Sequence, residues 1–201
     1  MKILHVTDMH GDMEVLQKLA SLSSENYDLV VATGDYESIA VIKAFKNFKK
    51  PVLAVTGNMD SPLIASELKA CSYSIENKIV KIGKYYFAGI GGRALYSSIV
   101  SVASKLYEMN TPKPLILISH YPPVGVKVDL AWTGIHIGKS VIREIVEKFK
   151  PILLLCGHVH EARGIDKLGD TILVNPGPLY MGFYAIIDAE KLEIEMKRVS
   201  C

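Results

Sequence analysis

The stretch that decides the fold lies at residues 2–12 and reads KILHVTDMHGD, at the start of a chain of 201 residues. Its first part, Lys2–Thr7, is a short run that contains the branched apolar residues Ile3, Leu4 and Val6, which is typical of a strand buried on both faces of a sheet. Its second part follows that strand with two carboxylates, an imidazole and a glycine. An apolar strand followed by a polar, glycine-containing turn is the pattern that recurs along the chain.

Further segments of the same kind follow at Asp28–Thr33, Pro51–Thr56, Leu115–Ser119, Pro151–Cys156 and Thr171–Val174. Helical spacing of apolar residues predicts helices between the early strands. Asp12–Ser24 carries Val15, Leu16, Leu19 and Leu22 on one face, and Glu37–Phe48 carries Ile39, Ile42, Phe45 and Phe48. Ser61-Pro62 opens a third helix as N-cap and first-turn proline. Ser97–Met109 and Lys139–Phe149 predict two more helices. Tyr73–Ile90 and Phe183–Val199 alternate loosely and predict hairpins or a meander.

These elements predict an α/β protein in which two sheets pack together with helices outside. The length fits one compact domain, and the chain has no internal repeats, low-complexity tracts or linker-like segments. We therefore expect residues 1–201 to form a single domain.

Composition excludes several classes of function. The net charge is only +2, and Lys and Arg are spread along the chain, so nucleic acid binding is not indicated. Apolar runs such as Ile152–Cys156 fall well short of the ~18 residues that a membrane span needs. The three cysteines are far apart and form no Cys-x-x-Cys pair, and residues 1–6 do not resemble a signal peptide. We expect a cytoplasmic protein in a reducing compartment.

Residues that bind divalent cations follow five of the predicted strands. They are Asp8 and His10, Asp35, Asn58, His120, and His158 and His160. Ligands of open α/β sheets bind beyond the carboxyl ends of the strands, and carboxylate, imidazole and amide oxygen suit hard and borderline divalent cations. Each short motif alone is usually structural, but their joint appearance at successive strand ends predicts a metal centre. Glycines at 34, 57 and 157 would let the backbone approach that centre closely.

The series Asp8-Met9-His10, Gly34-Asp35, Gly57-Asn58-Met59-Asp60, Ser119-His120 and Gly157-His158-Val159-His160 resembles the motifs of the calcineurin-like metallophosphoesterase family. The resemblance extends to the turn at Asn175-Pro176-Gly177 and implies a four-layer α/β/β/α sandwich of two mixed β-sheets flanked by helices. It also implies two divalent transition-metal ions, with manganese as first choice and nickel, iron or zinc as alternatives. By that resemblance Asp8, His10 and His160 hold the first metal, Asn58, His120 and His158 hold the second, and Asp35 bridges them.

The short Asn-Met-Asp motif is most similar to that of the small bacterial and archaeal phosphodiesterases of the family. The implied activity is hydrolysis of a small or nucleotide-like phosphodiester by attack of a metal-bound hydroxide, with Asp35 and Asn58 among the catalytic residues. Many members carry a histidine where this chain has Met59, which cannot donate a proton. General acid catalysis typically contributes a factor of about 10²–10⁴. His136, in the glycine-containing loop 132–140, is the candidate substitute, with a local capping or packing role as the alternative.

Alternative functions are a phosphomonoesterase, including a protein phosphatase, and a catalytically silent interaction scaffold. A homo-oligomer is left open. Among the remaining polar residues, His5 is expected to be a buried structural residue, Asp60 to cap or orient, and Asp12 to support the first loop. A surface role is favoured for Arg93 over contact with phosphate. Asn175-Pro176-Gly177 reads first as a rigid turn.

Overall fold

The computed structural model describes residues 1–22 and 27–199, apart from the Leu22 side chain. Ser23 and Ser24, at the end of the first predicted helix, and Cys201 lie outside the described residues. The strands are β1 (Lys2–Val6), β2 (Leu29–Ala32), β3 (Val52–Ala54), β4 (Ile79–Ile82), β5 (Tyr85–Ile90), β6 (Leu115–Ser119), β7 (Leu153–Leu155), β8 (Gly164–Leu168), β9 (Thr171–Asn175), β10 (Phe183–Asp188) and β11 (Glu193–Arg198). The α-helices are α1 (Met13–Leu22), α2 (Ile39–Ala44), α3 (Pro62–Ala70), α4 (Leu95–Glu108) and α5 (Ser140–Phe149).

The strands form two mixed sheets. The first has the order β11-β10-β1-β2-β3, in which β1, β2 and β3 are parallel and β10 runs antiparallel to β1. The second has the order β4-β5-β6-β7-β9-β8, with a parallel centre and an antiparallel strand at each edge. The predicted hairpins are present as β4–β5 and β10–β11.

Buried apolar clusters separate the four layers of the molecule. One cluster lies between the sheets and joins residues such as Ile3 and Val31 to Phe87 and Ile116. Another packs α1, α2 and α3 on the outer face of the first sheet, and a further cluster packs α4 and α5 on the outer face of the second. Because the central strands of both sheets are covered on both sides, they consist almost entirely of apolar residues. The predicted four-layer α/β/β/α fold is confirmed.

Two local predictions differ from the structure. The predicted helix Glu37–Phe48 is α2 followed by a 3-10 turn at Phe45–Phe48, and Ile39 in its first turn is 37% exposed instead of facing the core. Strand β8 was not predicted, although it pairs with β9 across a turn that contains Gly169 in a left-handed conformation. Ser61 caps α3 as predicted, since its Oγ accepts a hydrogen bond from the Ile64 N–H. In the part of the chain that the structure describes, the helices are too short or too polar to cross a membrane.

Candidate metal centre

The carboxyl ends of β1, β2 and β3 in one sheet meet those of β6 and β7 in the other. Asp8, His10 and His160 form a first group, in which the candidate ligand atoms all lie within 4.8 Å of one another. The Nε2 atoms of His10 and His160 are 3.2 Å apart, and Asp8 Oδ1 lies 3.4 Å from His160 Nε2. Two strand ends of different sheets therefore present three donor atoms to one point.

A second group shares Asp8 with the first and adds Asp35 and His120, again within 4.8 Å. Asp35 Oδ2 lies 3.5 Å from His120 Nε2, and Asn58 Oδ1 lies 2.8 Å from the same nitrogen. Since Asp8 belongs to both groups and Asp35 lies beside it, the two groups form one continuous cluster of donor atoms.

His158 lies at the edge of this cluster. Its ring centroid is 5.0 Å from that of His120, and its backbone N–H donates to Asp8 Oδ2 at 3.1 Å. Burial, and then the neighbouring His120, lower the pKa of His158 to about 3. The imidazole is therefore neutral at physiological pH, which is the form that binds metals.

Hydrogen bonds outside the cluster fix the orientation of two imidazoles. His120 Nδ1 donates to the Thr33 carbonyl oxygen at 2.7 Å, and His10 Nδ1 contacts the Glu37 carboxylate at 2.7 Å. Because both oxygens are acceptors, each Nδ1 acts as the donor in these contacts and each Nε2 is directed toward the cluster. Carboxylate and carbonyl partners of this kind are the usual supports of metal-binding histidines.

One buried oxygen of the cluster lacks a hydrogen-bond partner among the described residues. Asp8 is 1% exposed, and its Oδ1 makes no hydrogen bond in the described residues. His120 Nε2 and Asn58 Oδ1 face each other at 2.8 Å, close enough to share one proton or to ligate one cation. Buried polar atoms in such an arrangement are costly unless a proton or a cation lies between them. The residues present therefore fit a site for divalent cations.

The backbone at these positions adopts a conformation that non-glycine residues rarely take. Asp8, His10, Asp35 and His158 have φ values of 51°, 45°, 55° and 70°. Left-handed backbone at non-glycine residues costs of order 1–3 kcal/mol each and is concentrated at functional sites. The sharp turns let side chains from successive residues point into one small volume.

All three predicted glycines are required by close approach, and at Gly34 a Cβ would lie 2.4 Å from the Gly57 nitrogen. A Cβ at Gly57 would overlap the Asp35 carboxylate, and a Cβ at Gly157 would overlap Thr7 Oγ1 and approach Asp8 Oδ2. Any side chain at Gly57 or Gly157 would displace the carboxylates of the cluster.

Asp60 orients the second and third strand ends, as predicted. Its buried carboxylate accepts hydrogen bonds from the backbone N–H groups of Asp35, Tyr36, Glu37 and Gly57, at 2.8–3.0 Å. His5 is also structural as predicted, since it is fully buried, its Nε2 contacts Thr33 Oγ1 at 3.0 Å, and burial lowers its pKa to about 3. At the turn after β9, Asn175 donates to the Val159 carbonyl and thereby supports the segment between His158 and His160.

His136 lies on the loop between β6 and α5. Its Nδ1 contacts the buried Asp129 carboxylate at 2.6 Å, and its side chain is 43% exposed. The strand-end residues thus lie together, whereas His136 is held by a partner of its own. Its catalytic role stays a prediction. Arg93 is exposed and donates to the Asp60 carbonyl oxygen.

Sequence reasoning missed several side chains next to the cluster. Tyr180 lies against the first group, with its hydroxyl 3.3 Å from His160 Nδ1. Tyr121 packs against His158 with ring centroids 4.6 Å apart, and Lys139 Nζ lies 4.8 Å from the Tyr121 ring. Glu37 could have been inferred from its place two residues after Asp35. Nothing in the spacing of the other three indicates the contact.

Comparison with known proteins agrees with this geometry. The model of the calcineurin-like phosphoesterase superfamily domain matches residues 1–191. An uncharacterized protein of Methanocaldococcus jannaschii is 32% identical over 215 residues, which span 95% of this chain and 93% of that protein. The 3′,5′-cyclic adenosine monophosphate phosphodiesterase CpdA of Escherichia coli is 24% identical over 210 residues, 87% of this chain and 75% of that one.

Among solved structures, the protein TT1561 of Thermus thermophilus superposes with a TM-score of 0.79 at 20% identity, over 98% of each chain. At that identity the likeness supports the fold alone. The family match covers nearly the whole chain and includes every strand end of the cluster. The chain belongs to the calcineurin-like phosphoesterase superfamily and is a phosphoric ester hydrolase.

Proposed function

We propose that this chain is a binuclear metal-dependent phosphodiesterase that acts on a small or nucleotide-like phosphodiester. The superfamily generally uses two divalent metal ions. The observation that carries the proposal is the shared cluster of donor atoms around the buried Asp8 Oδ1, which makes no hydrogen bond in the described residues. Manganese is the favoured metal, and a cytoplasmic location is part of the same proposal.

Each side chain has a proposed place in the centre. Asp8, His10 and His160 would hold one cation, Asn58, His120 and His158 would hold the other, and Asp35 would contact both. Two cations in such a site polarise the phosphate and lower the pKa of a bound water. The neutral donors Asn58, His120 and His158 leave positive charge on their side of the centre, where it attracts the phosphate oxygens.

Met59 favours a diester over a monoester with a poor leaving group. Its side chain is 59% exposed, and its backbone N–H donates to Asp35 Oδ1 at 2.9 Å. The backbone at this position therefore supports the bridging carboxylate, while the thioether offers no proton to a departing alkoxide. Substrates whose leaving groups depart without protonation are affected least.

His136 is the proposed proton donor. The carboxylate of Asp129 holds Nδ1, which leaves Nε2 free to exchange a proton with a leaving group. Lys139 is the second candidate for contact with the substrate, because Tyr121 links it to His158.

Metal reconstitution tests the proposal. Metal-free protein is incubated with manganese, nickel, iron or zinc, and hydrolysis of methyl p-nitrophenyl phosphate is compared with that of p-nitrophenyl phosphate. We expect at least one metal to restore turnover, with the diester hydrolysed faster than the monoester. Both esters release p-nitrophenolate, which departs without protonation, so the comparison reports on the class of ester and not on acid catalysis.

The matched variants are Asp35→Asn and Asp170→Asn. Asp170 is exposed at the amino end of β9, so its change should leave activity and metal content at the wild-type level. Asp35→Asn should lower both. Retained turnover in Asp35→Asn, or no response to any of the metals, would refute the proposed function.

A further inference from the structure

A cavity of about 470 Å³ adjoins the candidate metal centre on the His160 side. Its lining includes Trp132, His160, Glu161, Arg163, Tyr180 and Phe183. A volume of this size lies within the range of about 300–1,000 Å³ that is usual for small-molecule sites. Because His160 belongs both to the first group of candidate ligands and to this lining, a molecule bound at the metals through its phosphate can extend directly into the cavity.

Trp132 is the chain's one tryptophan, and it is 90% exposed. Its loop is nevertheless ordered by hydrogen bonds, from Ala131 N–H to the Ile135 carbonyl at 2.9 Å and from Gly134 N–H to the Ala131 carbonyl at 2.8 Å. A third bond, from Trp132 N–H to Glu161 Oε1 at 3.2 Å, ties the loop to the residue after His160. The backbone holds an indole ring at the cavity while leaving its faces in water, where a large aromatic surface gains most by binding a flat partner.

Tyr180 connects the cavity to the metal ligands. Its ring packs edge-on against His10 and His160, with centroids 5.5 and 5.6 Å away, and its hydroxyl lies 3.3 Å from His160 Nδ1. Trp132 and Tyr180 thus provide two aromatic side chains at the same cavity, one exposed and one against the ligand cluster.

The charged groups of the cavity restrict what can enter. Arg163 donates to the Pro176 and Lys197 carbonyl oxygens and lies 4.7 Å from the Phe183 ring centroid, so it is engaged by the protein. Glu161 Oε1 accepts the Trp132 N–H, and a carboxylate retains further acceptor capacity. An acceptor of this kind repels a second phosphate and favours a group that donates, such as an exocyclic amine.

We propose that this cavity receives the base of a nucleotide phosphodiester, stacked against Trp132 and Tyr180, with Glu161 accepting from an exocyclic amino group. The inference rests on the proposed function and adds a substrate class to it. Aromatic side chains stack on the flat face of any base, and the carboxylate then favours adenine, guanine or cytosine over thymine.

The test compares substrates that share a leaving group and differ in the remote group. These are adenosine 5′-(p-nitrophenyl phosphate), methyl p-nitrophenyl phosphate and cyclohexylmethyl p-nitrophenyl phosphate, assayed with the metal-loaded protein. We expect the adenosine ester to exceed the methyl ester by about 10-fold or more in kcat/KM, as base–aromatic stacking supports. If the cyclohexylmethyl ester shows an equal advantage, the cavity binds apolar groups without preference for a base, and the proposal is overturned.

The deciding variants are Trp132→Ala and Trp132→Phe. Trp132→Ala should raise KM for the adenosine ester until its advantage disappears, while turnover of the methyl ester is unchanged. Trp132→Phe should keep most of the advantage. Glu161→Gln should reduce the preference for the adenosine ester over thymidine 5′-(p-nitrophenyl phosphate). An adenosine advantage that persists in Trp132→Ala would overturn the proposal.

Fluorescence gives a readout that does not depend on turnover, because Trp132 is the sole tryptophan. Adenosine 5′-monophosphate should quench it saturably, whereas ribose 5-phosphate should not. If none of the three esters is hydrolysed but the nucleotide quenches the fluorescence, the phosphodiesterase function is refuted and the base site is supported. If all three esters are hydrolysed at equal rates and the nucleotide does not quench the fluorescence, the base site is refuted and the phosphodiesterase function is supported.

Discussion

At the residue scale, the candidate metal centre depends on backbone conformations that surrounding hydrogen bonds must hold in place. Four proposed ligands have left-handed backbone, which local sequence disfavours. Asp60 holds one of them, Asp35, together with the turn before Asn58, because its buried carboxylate accepts four backbone N–H groups from two strand ends. Each of these hydrogen bonds involves a charged acceptor, so losing them together leaves several buried donors without partners.

Replacing Asp60 therefore tests whether its hydrogen bonds hold the backbone of the ligand-bearing turns in place. We expect Asp60→Ala to lower the free energy of unfolding by about 3 kcal/mol, because buried N–H groups lose a charged partner. Metal affinity should fall roughly 10–100-fold, as for other groups that orient ligands. Denaturant unfolding and metal titration measure the two effects, with Asp170→Ala as the exposed control. Unchanged metal affinity in a folded Asp60→Ala protein would show that Asp60 does not position the ligands.

The candidate ligands could be identified from the sequence because they follow apolar strands directly. Their supports could not, with few exceptions. Thr33 acts through its carbonyl oxygen, which every residue possesses, and Tyr180 lies in a turn remote in sequence from His160. Contacts of this kind depend on how the strands are arranged, which residue types do not encode.

At the element scale, the loop from β6 to α5 is organised around Asp129. This fully buried carboxylate accepts from the N–H groups of Gly125, Val126 and Gly138 and from His136 Nδ1. The sequence indicated a glycine-containing loop before a helix, but the polar centre of the loop was not recognised. The Asp129 side chain thus positions both His136, the proposed proton donor, and the ends of the segment that carries Trp132.

The contacts of Asp129 predict that its replacement affects substrate preference as well as stability, and the two effects can be measured separately. Asp129→Ala should destabilise the protein by about 2 kcal/mol through unsatisfied N–H groups. It should also remove the adenosine ester's advantage over the methyl ester, because Trp132 is no longer held at the cavity. Asp129→Asn, which keeps an acceptor oxygen, should retain part of the advantage. Thermal unfolding and the ratio of kcat/KM values give the answer, and a stable Asp129→Ala protein with the full advantage would contradict it.

Strand β8 marks where element prediction failed. Its residues alternate between half-buried and exposed, so it lacks the continuous apolar run of the central strands. The turn at Gly169-Asp170, two residues between apolar segments, was the available signal for a hairpin.

At the scale of the whole molecule, the four layers were predictable because strands covered on both faces must be apolar throughout. The order of strands within each sheet was not. The placement of β10 beside β1 brings the last part of the chain next to the first, and only tertiary packing selects that pairing. This architecture also explains the centre, since Asp8 and Asp35 come from one sheet and His120 and His158 from the other.

The most direct test of the central claim is a crystal structure of the metal-loaded protein with anomalous diffraction data. We expect two peaks about 3.5–4 Å apart, the usual spacing of two-metal sites. Asp8, His10 and His160 should ligate one, Asn58, His120 and His158 the other, and the Asp35 carboxylate should lie between them. A single peak, or metals bound by other residues, would contradict the binuclear centre.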